Sequence, residues 1–261
     1  MKIKTKKRHI ALYFVLQFLV VGIMVYSFVQ HDYNNVFMCI LTLVLFQIPT
    51  IIDKRFHIEL PTLLESIIIF FIFAAEILGE IGRYYLTFPH WDAMLHTLSG
   101  FIMAAIGFAM IDILNQSPKL HLNMSPVFVA FVSFCFSMTI GVLWEFFEFG
   151  MDTFFLTDMQ KDTIVPMISS VTLNSQGENV AVVINNITQT LADAQNGQTV
   201  INGGYLDIGL IDTMHDMIVN CVGAICFSVI GVLYIKGRGR LAKSFIPRMK
   251  TKAEIALEDK E

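Results

Sequence analysis

The sequence has little of what builds a soluble protein. Only 15% of its 261 residues are charged, against about a quarter in an ordinary globular domain. So low a share, with a mean hydropathy of +0.62, excludes a soluble globular fold and a disordered chain. Cysteines number four, Cys39, Cys135, Cys221 and Cys226. All sit inside apolar runs with no CxxC or zinc-ribbon spacing, which excludes a disulfide scaffold and leaves them as small apolar fillers. Internal repeats, inverted-repeat symmetry and low-complexity tracts are missing. So are an HExxH run and the usual phosphatase and CDP-alcohol transferase patterns.

What is present is apolar length: 55% hydrophobic residues, with 23 Phe and 14 Met. A helix needs about 20 mostly apolar residues to cross a bilayer. Six stretches qualify, about His9–Gln30, Val36–Ile52, Thr62–Phe88, Ala93–Leu114, Pro126–Gly150 and Ile208–Lys236. The expected fold class is therefore all-α, a polytopic membrane protein with a six-helix transmembrane bundle. The first run is too long for a signal peptide and no A-x-A-like site follows it, so it is counted as a span. Between spans five and six lies a long loop, 151–207, whose β-branched runs Thr163–Leu173, Asn179–Thr190 and Thr199–Tyr205 predict short strands or a long ordered loop. The expected divisions are a basic arm 1–8, spans one to five over 9–150, this loop, the sixth span 208–236 and a basic tail 237–261.

Charge sets the expected orientation. The N-terminal arm, the Asp53–Pro61 and Asn115–Ser125 turns and the C-terminal stretch from Lys236 onward hold every Lys and Arg of the 18 except Arg83 and Lys161. The positive-inside tendency then puts both termini in the cytoplasm and the 151–207 loop outside. A basic tail abutting an apolar run reads as a topology signal, not as a nucleic-acid site. A multi-pass bacterial plasma (inner) membrane protein is expected, with membrane lipid as its partner.

Acids inside spans cost about 2.5–3.5 kcal/mol each on insertion scales, so they need a reason. Here they form stripes at helical spacing: Glu76, Glu80 and Arg83 end span three, and Asp92, His96 and Ser99 begin span four. Glu145, Glu148 and Asp152 end span five; Asp212, His215, Asp216 and Asn220 begin span six. Residues three or four apart share a helix face. The topology brings all four stripes to the outer end of the bundle, roughly 5–15 Å deep at about 1.5 Å per residue. There they are expected to face one wet cavity.

Imidazole with carboxylate is the ligand set of Zn, Mn or Fe. His96, Glu145, His215, Asp216 and Asp212 are the expected metal ligands; Glu148 is the expected general base, and Arg83 the cation that holds an anionic head group. Asp92, Glu80, Glu76, Ser99 and Asn220 support them. The aromatic run Tyr84, Tyr85, Phe88 and Trp91 marks the outer interface. Each residue also has a plainer reading. The two glutamates can be protonated and hydrogen-bonded between helices, the histidines can be satisfied by one acid or carbonyl, Arg83 can snorkel, and Asp92 can cap its helix.

Three stretches carry a family resemblance: Trp91-Asp-Ala-Met-Leu-His-Thr-Leu-Ser-Gly100, Trp144-Glu-Phe-Phe-Glu148 and Asp212-Thr-Met-His-Asp-Met-Ile-Val-Asn-Cys-Val-Gly-Ala224. They resemble the D-x-x-x-H, W-E-x-x-E and D-T-x-x-D-M motifs of the YjdF-like bacterial inner-membrane proteins, over about Glu76–Leu233. That resemblance implies a helical membrane fold and supplies no reaction. The longer loop and His215 depart from the family pattern. A fainter similarity to VanZ-like proteins rests on a helix-borne histidine near the outer boundary. Three functions stay open. One is a metal-dependent hydrolase or transferase acting on a lipid or lipid-linked head group. The others are a proton- or divalent-cation-coupled transporter and a non-catalytic scaffold.

Overall fold

The structure is a computed structural model, and it describes residues 2–56, 58–115, 124–237 and 245–250. The Asn115–Ser125 turn therefore lies outside the described residues over 116–123, and the basic tail does so over 238–244 and 251–261. Six helices are long and apolar enough to span a membrane: Ala11–Val29, Tyr33–Arg55, Thr62–Ile81, Trp91–Asn115, Pro126–Phe155 and Leu210–Ile235. The chain divides into two compact units, Met1–Gly141 with Asp216–Glu261, and Val142–His215.

In the first unit, α1 (Lys2–Val29) is followed by α2 (Tyr33–Leu45), whose first turn is capped by Asp32 accepting the Asn35 N–H at 3.1 Å. That bond satisfies one donor the helix itself leaves unpaired. The second span is broken, not continuous as expected: α2 ends at Leu45 and α3 (Ile48–Phe56) starts after two intervening residues. Pro49 is the cause, since it has no N–H to donate to Leu45 but fits the first turn of a new helix.

The third span also departs from expectation. α4 (Thr62–Ile72) passes into a π-helical stretch, Phe73–Ile81, and stops at Gly82, well short of Phe88. Arg83 then adopts a left-handed backbone (φ 58°) before the four-residue α5 (Tyr84–Thr87). Tyr84 packs on Phe88 at 4.4 Å and on Trp91 at 4.8 Å between ring centroids, which ties α5 to the first residue of α6 (Trp91–Asn115).

α6 packs between α7 (Pro126–Phe155) and α8 (Leu210–Ile235). α6 and α8 are parallel: His96 meets Asp216, Gly100 meets Asn220, Thr97 and Phe101 meet Gly223, and Phe108 meets Gly231. α7 is antiparallel to α6. Ser137 donates to the Gly100 carbonyl at 2.8 Å and Ser133 donates to that of Ala104. Small residues at these positions let backbones approach, the device that drives helix association where lipid removes the hydrophobic incentive. The core joins Leu64, Ile69 and Ile72 of α4 to Ala104 and Phe108 of α6 and to Ala224 and Phe227 of α8. Large apolar side chains face outward, among them Phe128, Phe131, Ile218 and Val222, as a bilayer-facing surface requires.

The chain returns to this unit after α8. A two-residue strand β8 (Arg248–Met249) pairs antiparallel with β1 (Ile58–Glu59), and Ile246 is buried in the core.

The second unit carries the strands expected in 151–207. β2 (Ile164–Val165) pairs with β7 (Tyr205–Leu206), and β3 (Ile168–Ser170) pairs with β4 (Val182–Ile184). β5 (Gln189–Ala194) and β6 (Gly197–Asn202) form a hairpin closed by Gln195 and Asn196. The hairpin crosses the polar stretch that the sequence pattern treats as a separator, because Asn196-Gly197 is turn chemistry with strand on both sides. Asp207 holds the base of this unit, accepting the Thr163 N–H at 2.6 Å and the Ile211 N–H at 2.9 Å.

Candidate functional site

In the first unit, α6 and α8 bring Asp92, His96 and Asp216 together. His96 Nε2 lies 3.6 Å from Asp92 Oδ1 and 3.8 Å from Asp216 Oδ2, and one ligand atom from each residue falls within 4.8 Å of the others. The imidazole and the Asp216 carboxylate are deeply buried, at 9% and 2% exposure, whereas Asp92 is partly open. Helical spacing explains Asp92 and His96: they are i, i+4 on α6 and stand one turn apart. Asp92 is inside the helix, since α6 starts at Trp91, so it pairs with His96 and is not the cap the plainer reading allowed. Asp216 arrives because the glycine contacts one and two turns further on fix the α6–α8 register.

These separations are longer than hydrogen bonds. They are near the roughly 3.5 Å between donors that share one ion with bonds of about 2.0–2.2 Å. One imidazole nitrogen and two carboxylates, mostly out of water, suit a divalent transition metal better than an all-oxygen calcium site. The same three groups can also hold and pass a proton.

One turn below Asp216, Asn220 is buried, with its amide nitrogen 3.6 Å from Met138 Sδ and its side chain against Gly141 and Gly100. It wedges between three helices beneath the trio. Ser99 is half-buried on α6.

Glu145 and Glu148 lie on α7 within the second unit, both buried, and the Trp144 indole N–H donates to Glu148 Oε1 at 2.8 Å. Asp212, in the first turn of α8, accepts the Lys161 N–H at 2.7 Å, and its neighbour Thr213 holds the Gln160 amide. Asp212 thus anchors the loop. His215 is exposed. The expected arc from Asp212 to Asn220 is split, because His215 is turned about 100° from Asp216 around a helix of 3.6 residues per turn. Glu76 is half-buried and Glu80 exposed on the π-helical stretch, and Arg83 is exposed beyond its end. Their i, i+4, i+7 stripe presumes α-helical turns, and an i→i+5 turn rotates it out of phase.

Sequence spacing alone did not single out Ser133, Ser137 and Gly223. The signal was legible in part: Ser133, Ser137 and Gly141 recur every four residues along one face of α7.

Two acids outside the spans have shifted pKa values. Burial acts to raise that of Asp207, but the N–H donors of Thr163, Ile211 and Gly209 outweigh it and hold the group below the usual carboxylate range. Asp162 is pushed up, first by burial and then by the charges of Asp158, Asp207 and Asp152.

The family described as "Predicted membrane protein (DUF2238)" matches residues 11–237, and the chain belongs to it. No curated protein and no solved structure matches the chain.

Proposed function

We propose that this DUF2238 member uses Asp92, His96 and Asp216 to hold a divalent transition metal (Zn, Mn or Fe) near the outer end of its helical bundle. There it acts as a hydrolase or transferase on a lipid or lipid-linked head group. The observation that carries the reading is the buried His96 imidazole set between two carboxylates drawn from two parallel helices. A bound cation offsets charge that would otherwise be costly at that depth.

Arg83 holds the substrate's anionic head group beside the Tyr84, Phe88 and Trp91 rings. The charge distribution supports cytoplasmic termini and an external 151–207 loop, in a bacterial plasma membrane. The YjdF-like resemblance, carried by the same motifs, points to the same group of proteins.

The test is metal analysis of the purified protein beside His96→Ala and Asp216→Asn. About one transition metal per chain, lost in both variants, is the expected result. Metal-free wild-type protein that also fails to take up zinc in titration overturns the reading. Coupled proton or cation transport is the competing one. Asp112, buried on α6 towards its other end, favours it, since a relay needs a second ionisable station.

A further inference from the structure

At the end of the bundle away from His96, α3 carries two cations and an open hollow. The hollow, about 280 Å³, is lined by Thr50, Ile51, Lys54 and Arg55, and most of its wall is apolar. It lies at the end of the span Tyr33–Arg55, the depth of a lipid head group. Ile48 and Ile51 are exposed beside it.

The segment from Asp53 to Glu59 is formally neutral by itself, with Asp53 and Glu59 against Lys54 and Arg55. The returning tail changes that balance. Lys250 Nζ sits 2.9 Å from both carboxylate oxygens of Asp53, and Arg248 pairs with Glu59 while β8 pairs with β1. Lys250 is 9% exposed, so its pairing is partly shielded from water. Both acids are thereby taken up. Neither Lys54 nor Arg55 forms an ion pair among the described residues. Among the described residues, the docked tail therefore converts a neutral turn into one with two uncompensated positive charges around an apolar-walled hollow.

We propose that this hollow is a binding site for the phosphate of an anionic phospholipid, assembled by docking of residues 245–250. Lys54 and Arg55 meet the phosphate, the Thr50 hydroxyl donates to it, and Ile48 and Ile51 lie along the acyl chain. The tail's own cations act through Asp53 and Glu59 and do not touch the lipid. A lipid phosphate is favoured over a free one because the hollow opens beside exposed isoleucines at the end of a span.

The experiment is retention of phosphatidylglycerol against phosphatidylcholine by the full-length protein, read by native mass spectrometry. Wild type is expected to prefer phosphatidylglycerol, and Lys54→Gln with Arg55→Gln to lose most of that preference. A juxtamembrane cation contributes roughly fivefold, so the pair carries about 25-fold. Arg248→Ala with Lys250→Ala is expected to weaken retention similarly, by exposing Asp53 and Glu59. Adding Asp53→Asn and Glu59→Gln to that variant is expected to restore it without restoring a single cation. Failure of this restoration, with thermal stability at the wild-type level, overturns the proposal, because the lipid would then be held by Arg248 and Lys250 themselves. So does a Lys54/Arg55 variant with unchanged preference. Complete displacement by millimolar inorganic phosphate would make the hollow a free-anion site and also overturns it. None of these readings depends on the metal content of the His96 site.

Discussion

The Gly223 backbone on α8 lies so close to the Thr97 carbonyl on α6 that no β-carbon fits between them. Gly100 stands in the same relation to Asn220. The two contacts set the distance and register between the parallel helices, and the His96–Asp216 approach depends on both. In both, the nearest atom is backbone, so the neighbour cannot rotate away.

Gly223→Ala and Gly100→Ala are therefore expected to cost about 1–3 kcal/mol each through overpacking. They should also part His96 from Asp216 by pushing α8 off α6. Thermal denaturation in detergent measures the first effect, and a disulfide crosslink between cysteines placed at 96 and 216 measures the second. Gly150, with open space around it, is the control whose alanine variant should leave both unchanged.

Ser133→Ala and Ser137→Ala should be far milder. Each hydroxyl donates to a helix carbonyl across the α6–α7 contact, and interhelical bonds of this kind average about 0.6 kcal/mol in membranes. Alanine keeps the small volume, so the helices stay close. A loss above about 2 kcal/mol for either single variant in the same denaturation assay would show that the hydroxyl does more than bridge the helices.

Much of this arrangement was legible in the sequence. The six spans follow from apolar length, and Asp92, His96 and Asp216 stood out because charge in a span is expensive. Three features were not legible, for physical reasons. The Glu76, Glu80 and Arg83 stripe was phased for an α-helix, and only the fold reveals the π-helical turns that displace it. His215 shares a chain neighbourhood with Asp216 but not a face, and which face turns inward is decided by Gly223, seven residues on. The return of Arg248 and Lys250 to Glu59 and Asp53 is a pairing across nearly two hundred residues that no local pattern encodes.

The second unit should respond to acid with a definite sign. Asp207 has a lowered pKa in the folded state because its N–H donors outweigh burial. Its contribution is then present in full above the unfolded value of about 3.9 and is lost as pH falls through the folded one. Asp162, raised by burial and by its acidic neighbours, works the other way: its charge at neutral pH opposes the fold, and protonation relieves it. Hydrogen exchange at the Thr163 and Ile211 amides should stay slow down to about pH 4 and quicken below it. Asp207→Asn should make them fast throughout, and Asp162→Asn should slow exchange at pH 7.

Burial ranks the two aspartates of the site. Asp216 is almost wholly enclosed while about a third of the Asp92 side chain is open to solvent, so water can replace Asp92 but not Asp216. If the trio binds a metal, Asp92→Asn should weaken zinc affinity by about tenfold. Asp216→Asn should weaken it by about a hundredfold or more, the upper range for lost support at a metal site. Competition against a chromophoric chelator reads both. Equal losses would mean that the two carboxylates meet the ion on the same terms, and a larger loss for Asp92 would place the ion towards the open side of His96, away from α8.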